Sequence, residues 1–109
     1  MTAWRTVEAR AFEGRRKPIA RGVGARAVKL NQFDSQPGQA GLEHDERESG
    51  QEEVYFALRG SGVLRVDGDE VELEPGRYVL VESEAMRQVV AGPDGLSYAV
   101  VGAVPEEGA

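Results

Sequence analysis

The residues best suited to chemistry lie in an acidic stretch from Glu43 to Glu53, which contains the only histidine of the chain, His44. The chain has no cysteine, so thiol chemistry, disulfides and zinc–thiolate sites are excluded. No serine stands in a recognised nucleophile motif. The stretch also lacks the Asp and Gly spacing of an EF-hand loop, so a solvated acidic loop is a simpler interpretation than a calcium site.

The overall charge limits the classes of partner. The 109 residues include 13 basic and 19 acidic side chains, giving a net charge of −6. This balance argues against nucleic acid binding, which needs a basic face to displace the counterions of the phosphates. Residues 5–26 are locally basic, and a solvated segment is favoured there over a phosphate-binding arm. No stretch has the length of a signal peptide or a membrane span, which predicts a cytoplasmic protein without a membrane partner.

The sequence predicts β-strands as the elements that position the side chains of this acidic stretch. Alternating or branched runs begin at Glu53, Val63, Asp69, Arg77, Arg87 and Leu96, with a further strand predicted at 25–33. Asp67-Gly68 predicts a tight hairpin because both turn residues tolerate positive φ. Turns are also predicted at 59–62 and 92–95. We therefore expect an all-β sandwich or barrel, with an N-terminal arm (1–20), a barrel (21–105) and a tail (106–109).

Two segments of the chain resemble the paired motifs of the cupin superfamily. In the first, Gly38 is followed after five residues by His44, and Glu53 after six by Gly60. The second opens at Gly76 and is matched mainly by its position. The resemblance implies a small single-domain cupin, a double-stranded β-helix or jelly-roll barrel with a pocket between its sheets, frequently in a homodimer.

Carried over position by position, the resemblance implies a metal site in which His44, Glu46, Glu53 and Arg87 replace the usual three histidines and one glutamate. Glu48 is an alternative to Glu46, because the spacing before Glu53 is longer than in the family. Arg87 cannot ligate a metal, since a guanidinium stays protonated and has no lone pair to offer. Instead it would supply positive charge and pair with Glu53 in a bidentate manner.

Two functions follow from this resemblance. The favoured one is a metal-free module that binds a small molecule through His44, Glu53, Tyr55 and Arg87, with no cofactor. The alternative is a metal-dependent enzyme, similar to a dioxygenase or an isomerase. It would hold Fe, Mn or Zn on His44, Glu46 and Glu53. A third possibility, a structural dimerisation domain, predicts no pocket.

Overall fold

The computed structural model describes residues 3–106. Its helical elements are one 3₁₀ turn, Ala9–Ala11, and one short helix, α1, Ile19–Val23. Its strands are β1 Arg16–Lys17, β2 Lys29–Ser35, β3 Glu52–Val66, β4 Asp69–Leu73, β5 Tyr78–Val81 and β6 Arg87–Ala103. The strands form one antiparallel sheet in the order β1-β2-β6-β3-β4, with β5 paired to β3. The prediction of an all-β fold is confirmed. Residues 107–109 of the predicted tail lie outside the described residues.

Two long strands, β3 and β6, organise the barrel. Their pairing runs from Glu52 opposite Ala103 to Val66 opposite Arg87, so each strand takes part in both halves of the molecule. The turns predicted at 59–62 and 92–95 do not end strands, because the two segments lie within β3 and β6. The pairing is nevertheless interrupted there: Gly62 pairs with Ala91 and Gly60 with Leu96, so residues 92–95 bulge out opposite Ser61. Glycine permits such bulges as readily as it permits a chain reversal, so the local sequence does not separate the two.

The Asp67-Gly68 hairpin forms as predicted between β3 and β4. Both turn residues have positive φ, 48° for Asp67 and 89° for Gly68. A two-residue turn of this hand matches the twist of the flanking strands. On β4 the alternation is also as expected, because Leu73 is fully buried while Glu72 is exposed.

The segment before β2 is attached to the sheet. β1 pairs with β2 at Phe33 and Gln32, and the buried Lys17 ammonium donates to the Phe12 and Gly14 carbonyls. The same ammonium lies 3.8 Å from Asp34. These contacts hold a stretch assigned to the predicted arm against the barrel.

Asp34 on β2 is stabilised as a carboxylate. Burial by itself raises its pKa, but hydrogen bonds from Ser97 at 2.6 Å and Gln32 at 3.2 Å oppose this, as does the charge of Lys17. Together they hold the pKa of Asp34 below its ordinary value of 3.8.

The core lies between the two halves of the barrel. It is formed by inward side chains of β3, β4, β5 and β6, which are Tyr55, Ala57, Leu64, Leu73, Val81, Val89, Ala91, Leu96, Tyr98 and Val100. Tyr55 and Ala57 point inward as their parity with Glu53 predicted, whereas Leu58, of opposite parity, is exposed. No helix in the described part of the chain is both long and apolar enough to cross a membrane.

Candidate functional site

A cavity of about 520 Å³ opens in the barrel, and the predicted site residues line it. Its lining residues are Arg15, Arg16, Lys29, Asn31, Phe33, Leu42, His44, Glu46, Gln51, Glu53, Tyr55, Arg87, Gln88, Val89, Tyr98 and Val100. This volume lies in the range of about 300–1,000 Å³ typical of small-molecule sites. Glu48, the alternative to Glu46, is exposed and is not among these residues.

His44 is fixed by its backbone and by one ring nitrogen. It forms a two-hydrogen-bond bridge with Arg87, the first residue of β6, in which each backbone N–H donates to the other residue's carbonyl at 2.8–2.9 Å. Its Nδ1 lies 3.2 Å from the Leu42 carbonyl. Because a carbonyl can only accept, Nδ1 carries the proton in this contact, and Nε2 faces the cavity.

Two carboxylates meet His44 Nε2. Glu46 Oε2 lies 3.3 Å away and Glu53 Oε1 lies 3.8 Å away. The other oxygen of Glu46, Oε1, accepts hydrogen bonds from Ser49 Oγ at 2.8 Å and Gln51 Nε2 at 2.9 Å. These bonds aim Oε2 at the imidazole.

Glu53 is the centre of the cluster. Its Oε1 accepts a hydrogen bond from the Tyr55 hydroxyl at 2.8 Å and lies 3.5 Å from Arg87 Nη2. Burial, followed by the negative charge of Glu53, raises the pKa of Tyr55 well above its ordinary value. Tyr55 is therefore a hydrogen-bond donor throughout the working pH range.

Arg87 is the most deeply buried member of the site, with a side chain that is 0% exposed. Its Nη1 donates to the Ala85 carbonyl at 2.7 Å and its Nη2 to the Glu82 carbonyl at 3.4 Å. The bidentate pair expected with Glu53 is not formed, because backbone carbonyls take up these donors and only Nη2 approaches the carboxylate. Nε is buried and has no partner among the described residues.

The fit of His44, Glu46 and Glu53 to a metal ion depends on the spacing of their donor atoms, which lie within 4.8 Å of one another. Ligands about 2.1 Å from a tetrahedral ion stand about 3.4 Å apart, close to the two distances from Nε2. The contact between Nδ1 and the Leu42 carbonyl is the kind that orients metal-bound histidines. The three side chains therefore fit a divalent ion, with the positive charge of Arg87 opposing it.

The opposite wall of the cavity was not predicted from the sequence. Arg15 Nε donates to Ser35 Oγ and its Nη2 to the Tyr98 hydroxyl, both at 3.1 Å, while the guanidinium lies 4.9 Å from the centre of the Phe33 ring. Burial raises the pKa of Tyr98 although Arg15 opposes this, so the hydroxyl keeps its proton. The sequence did offer a signal for Lys29: it lies four residues before Phe33 on the same strand, so the alternation of side chains places both on the same face of β2. Arg15 had no such signal, since its place depends on the fold of the whole arm.

The fold and motifs agree with those of known proteins. The profile of the Cupin domain family, Cupin_2, matches residues 31–95. A solved cupin protein from Bacteroides fragilis has a TM-score of 0.83 at 17% identity, with 98% of this chain and 89% of that chain covered. A predicted oxalate decarboxylase from Thermotoga maritima has a TM-score of 0.69 at 18% identity, with 83% and 79% covered. At these identities the likeness shows the fold alone.

One curated relative is similar over a shorter segment. Dimethylsulfoniopropionate lyase DddW from Ruegeria pomeroyi is 38% identical over 47 residues, which are 43% of this chain and 31% of that protein. The chain thus covers about a third of the length of this relative. Because the family profile matches more than half of the sequence, the chain belongs to the Cupin domain family.

Proposed function

We propose that the chain binds a small polar molecule in the barrel cavity through His44, Glu53, Tyr55 and Arg87. The observation that carries this proposal is the cavity of about 520 Å³ with these four side chains in its lining. Exposure falls from 33% for the His44 side chain to 14% for Glu53 and 0% for Arg87. The polar groups therefore extend from the cavity mouth inward, as in a site that orients a ligand.

The charges of the cluster support binding without a metal. Arg87 already places a buried positive charge 3.5 Å from Glu53, the carboxylate at the centre of the cluster. A divalent ion bound there would lie near the buried guanidinium, and the repulsion between the two cations would cost energy because little water screens it.

A metal-dependent enzyme is the second candidate, favoured by the orientation of His44 Nε2 toward Glu46 and Glu53. Those three residues would hold the ion, which, when bound, would polarise a carbonyl oxygen or bind oxygen. Tyr55 would remain a hydrogen-bond donor beside it. The name of the R. pomeroyi relative, a lyase, supports an enzymatic role for this scaffold. The match covers only 31% of that protein, so its activity is not transferred to this chain.

Metal analysis of untagged protein separates the two candidates. We expect only trace amounts of Fe, Mn and Zn, and an Arg87→His variant that gains affinity for Mn²⁺ because a ligand replaces an opposing cation. Near-stoichiometric metal in the unaltered protein would overturn the metal-free proposal in favour of the enzyme.

Ligand binding itself is tested by NMR titration of chelator-treated protein with small hydroxy acids, amino acids and monosaccharides. We expect saturable shifts at the amides of His44 and Glu53 with some of these compounds. Glu53→Gln should weaken that binding about tenfold, as expected when a charge-assisted hydrogen bond is lost. Glu72→Gln, exposed on β4, is the matched control. If no compound gives saturable shifts at these positions, the proposal fails.

A further inference from the structure

The cavity has a second polar wall that the cluster around Glu53 does not use. Arg15 and Arg16 of the N-terminal segment and Lys29 and Asn31 of β2 line it, together with the Tyr98 hydroxyl. Across the whole lining, four cationic side chains face two carboxylates, whereas the protein as a whole has a net charge of −6. The positive charge is thus concentrated in the cavity of an acidic protein.

The cations of this wall form no ion pairs with the described residues. In the described part of the chain, no carboxylate oxygen lies within 4 Å of the charged nitrogens of Arg15, Arg16 or Lys29. Unpaired cations that line a concave surface focus a positive potential into it and attract anions.

Arg15 is also held in place. Its bonds to Ser35 and Tyr98 use Nε and one Nη2 proton, and its Nη1 donors have no acceptor among residues 3–106. Gly41 leaves the space for this guanidinium, because a Cβ there would lie 2.8 Å from Arg15 Nη2. An ordered guanidinium with free donors in a cavity is suited to bind an oxyanion.

We propose that this wall, defined by Arg15, Arg16, Lys29, Asn31 and Tyr98, binds an oxyanion group of the ligand, a carboxylate or a phosphate. The inference deepens the proposed function and depends on it: the ligand is anionic at one end and polar at the end that reaches His44 and Glu53. Lys29 and Arg16 supply charge at the rim, and the ordered Arg15 supplies directed hydrogen bonds. The Tyr98 hydroxyl accepts from Arg15 and keeps its own proton to donate to the anion.

The test is an NMR titration of the full chain with acetate and, separately, inorganic phosphate, at constant ionic strength maintained with chloride. We expect saturable shifts at the amides of residues 29–33 and Tyr98. The anion that binds more tightly identifies the group as carboxylate or phosphate. Arg15→Gln should weaken binding at least about tenfold, since a charge-assisted hydrogen bond is lost. Arg77→Gln, exposed and outside the cavity, should leave it unchanged.

A second variant is needed because Arg15→Gln could weaken binding by disturbing the structure of the N-terminal segment. Lys29→Gln changes only an exposed charge and should weaken binding severalfold. Unsaturable shifts, or equal affinity in both cavity variants and the Arg77→Gln control, would overturn the proposal.

The two proposals fail in distinguishable ways. If sugars or other uncharged compounds still shift His44 and Glu53 while neither anion binds at 29–33, only the oxyanion wall is wrong. If the anions bind at 29–33 and no compound reaches His44 or Glu53, the wall stands as an anion site and the proposed role of the cluster is wrong.

Discussion

Replacing Arg87 by methionine tests whether the buried guanidinium holds the barrel together. The variant keeps most of the aliphatic volume but removes the 2.7 Å hydrogen bond to the Ala85 carbonyl and the cation 3.5 Å from Glu53. Removing one partner of a buried ion pair costs about 3–5 kcal/mol, because the remaining charge is left uncompensated. At about 4–8 °C per kcal/mol for a domain near this size, we expect the melting temperature to fall by at least about 12 °C.

The assay is thermal and urea unfolding followed by circular dichroism, with Arg77→Met as the control. Arg77 is exposed, so its replacement should change the free energy of unfolding by no more than about 0.5 kcal/mol. Combining Arg87→Met with Glu53→Gln removes the uncompensated charge. The double variant should therefore be less destabilised than the sum of the single changes, by about 0.5–3 kcal/mol. A loss below about 1 kcal/mol for Arg87→Met, or strict additivity, would refute this reasoning.

Two further substitutions test the surroundings of the site. Ser97→Ala removes the main hydrogen-bond donor to Asp34. The lowered pKa of Asp34 means that its carboxylate stabilises the fold fully above about pH 4, and that this stabilisation is lost as the pH falls through the pKa of the folded state. We expect Ser97→Ala to reduce stability near neutral pH more than near about pH 2.5 in urea titrations, and an equal loss at both would contradict this. Gly60 and Gly50 have nearly equal φ angles, 76° and 75°, so replacing either by alanine imposes the same backbone strain. The two sites differ in space: a Cβ at Gly60 would lie 2.3 Å from the Gly95 carbonyl oxygen, whereas nothing lies within 4 Å of a Cβ at Gly50. Gly50→Ala should lower the free energy of unfolding by about 1–2 kcal/mol, and Gly60→Ala should lower it clearly more. Equal melting temperatures for the two variants would show that the close approach of Gly60 to the Gly95 carbonyl is unimportant.

The parts of the fold that the sequence predicted depend on short-range rules. The Asp67-Gly68 turn follows from two residues that tolerate positive φ. The inward position of Tyr55 follows from strand parity with Glu53. Both rules act within a few residues, so they hold whatever the rest of the chain does.

The parts that could not be predicted depend on distant contacts or on the exact path of the backbone. Gly60 and Gly95 meet across β3 and β6, and only the pairing of those strands makes them bulges rather than turns. Arg87 meets the Ala85 carbonyl instead of forming a bidentate pair, because the local path of the backbone decides which acceptor is nearest. Arg15 reaches Tyr98, 83 residues later, through the attachment of β1 to β2.

The short length of β1 has a consequence for self-association. It pairs with β2 only opposite Phe33 and Gln32, so in the described residues the outer backbone edge at Lys29–Asn31 carries no strand. Such an edge can pair with a strand of another molecule, and a lysine on it discourages that contact because two copies would bring like charges together. The same Lys29 that lines the cavity thus adds like-charge repulsion at an edge of β2 that no strand of the described residues covers.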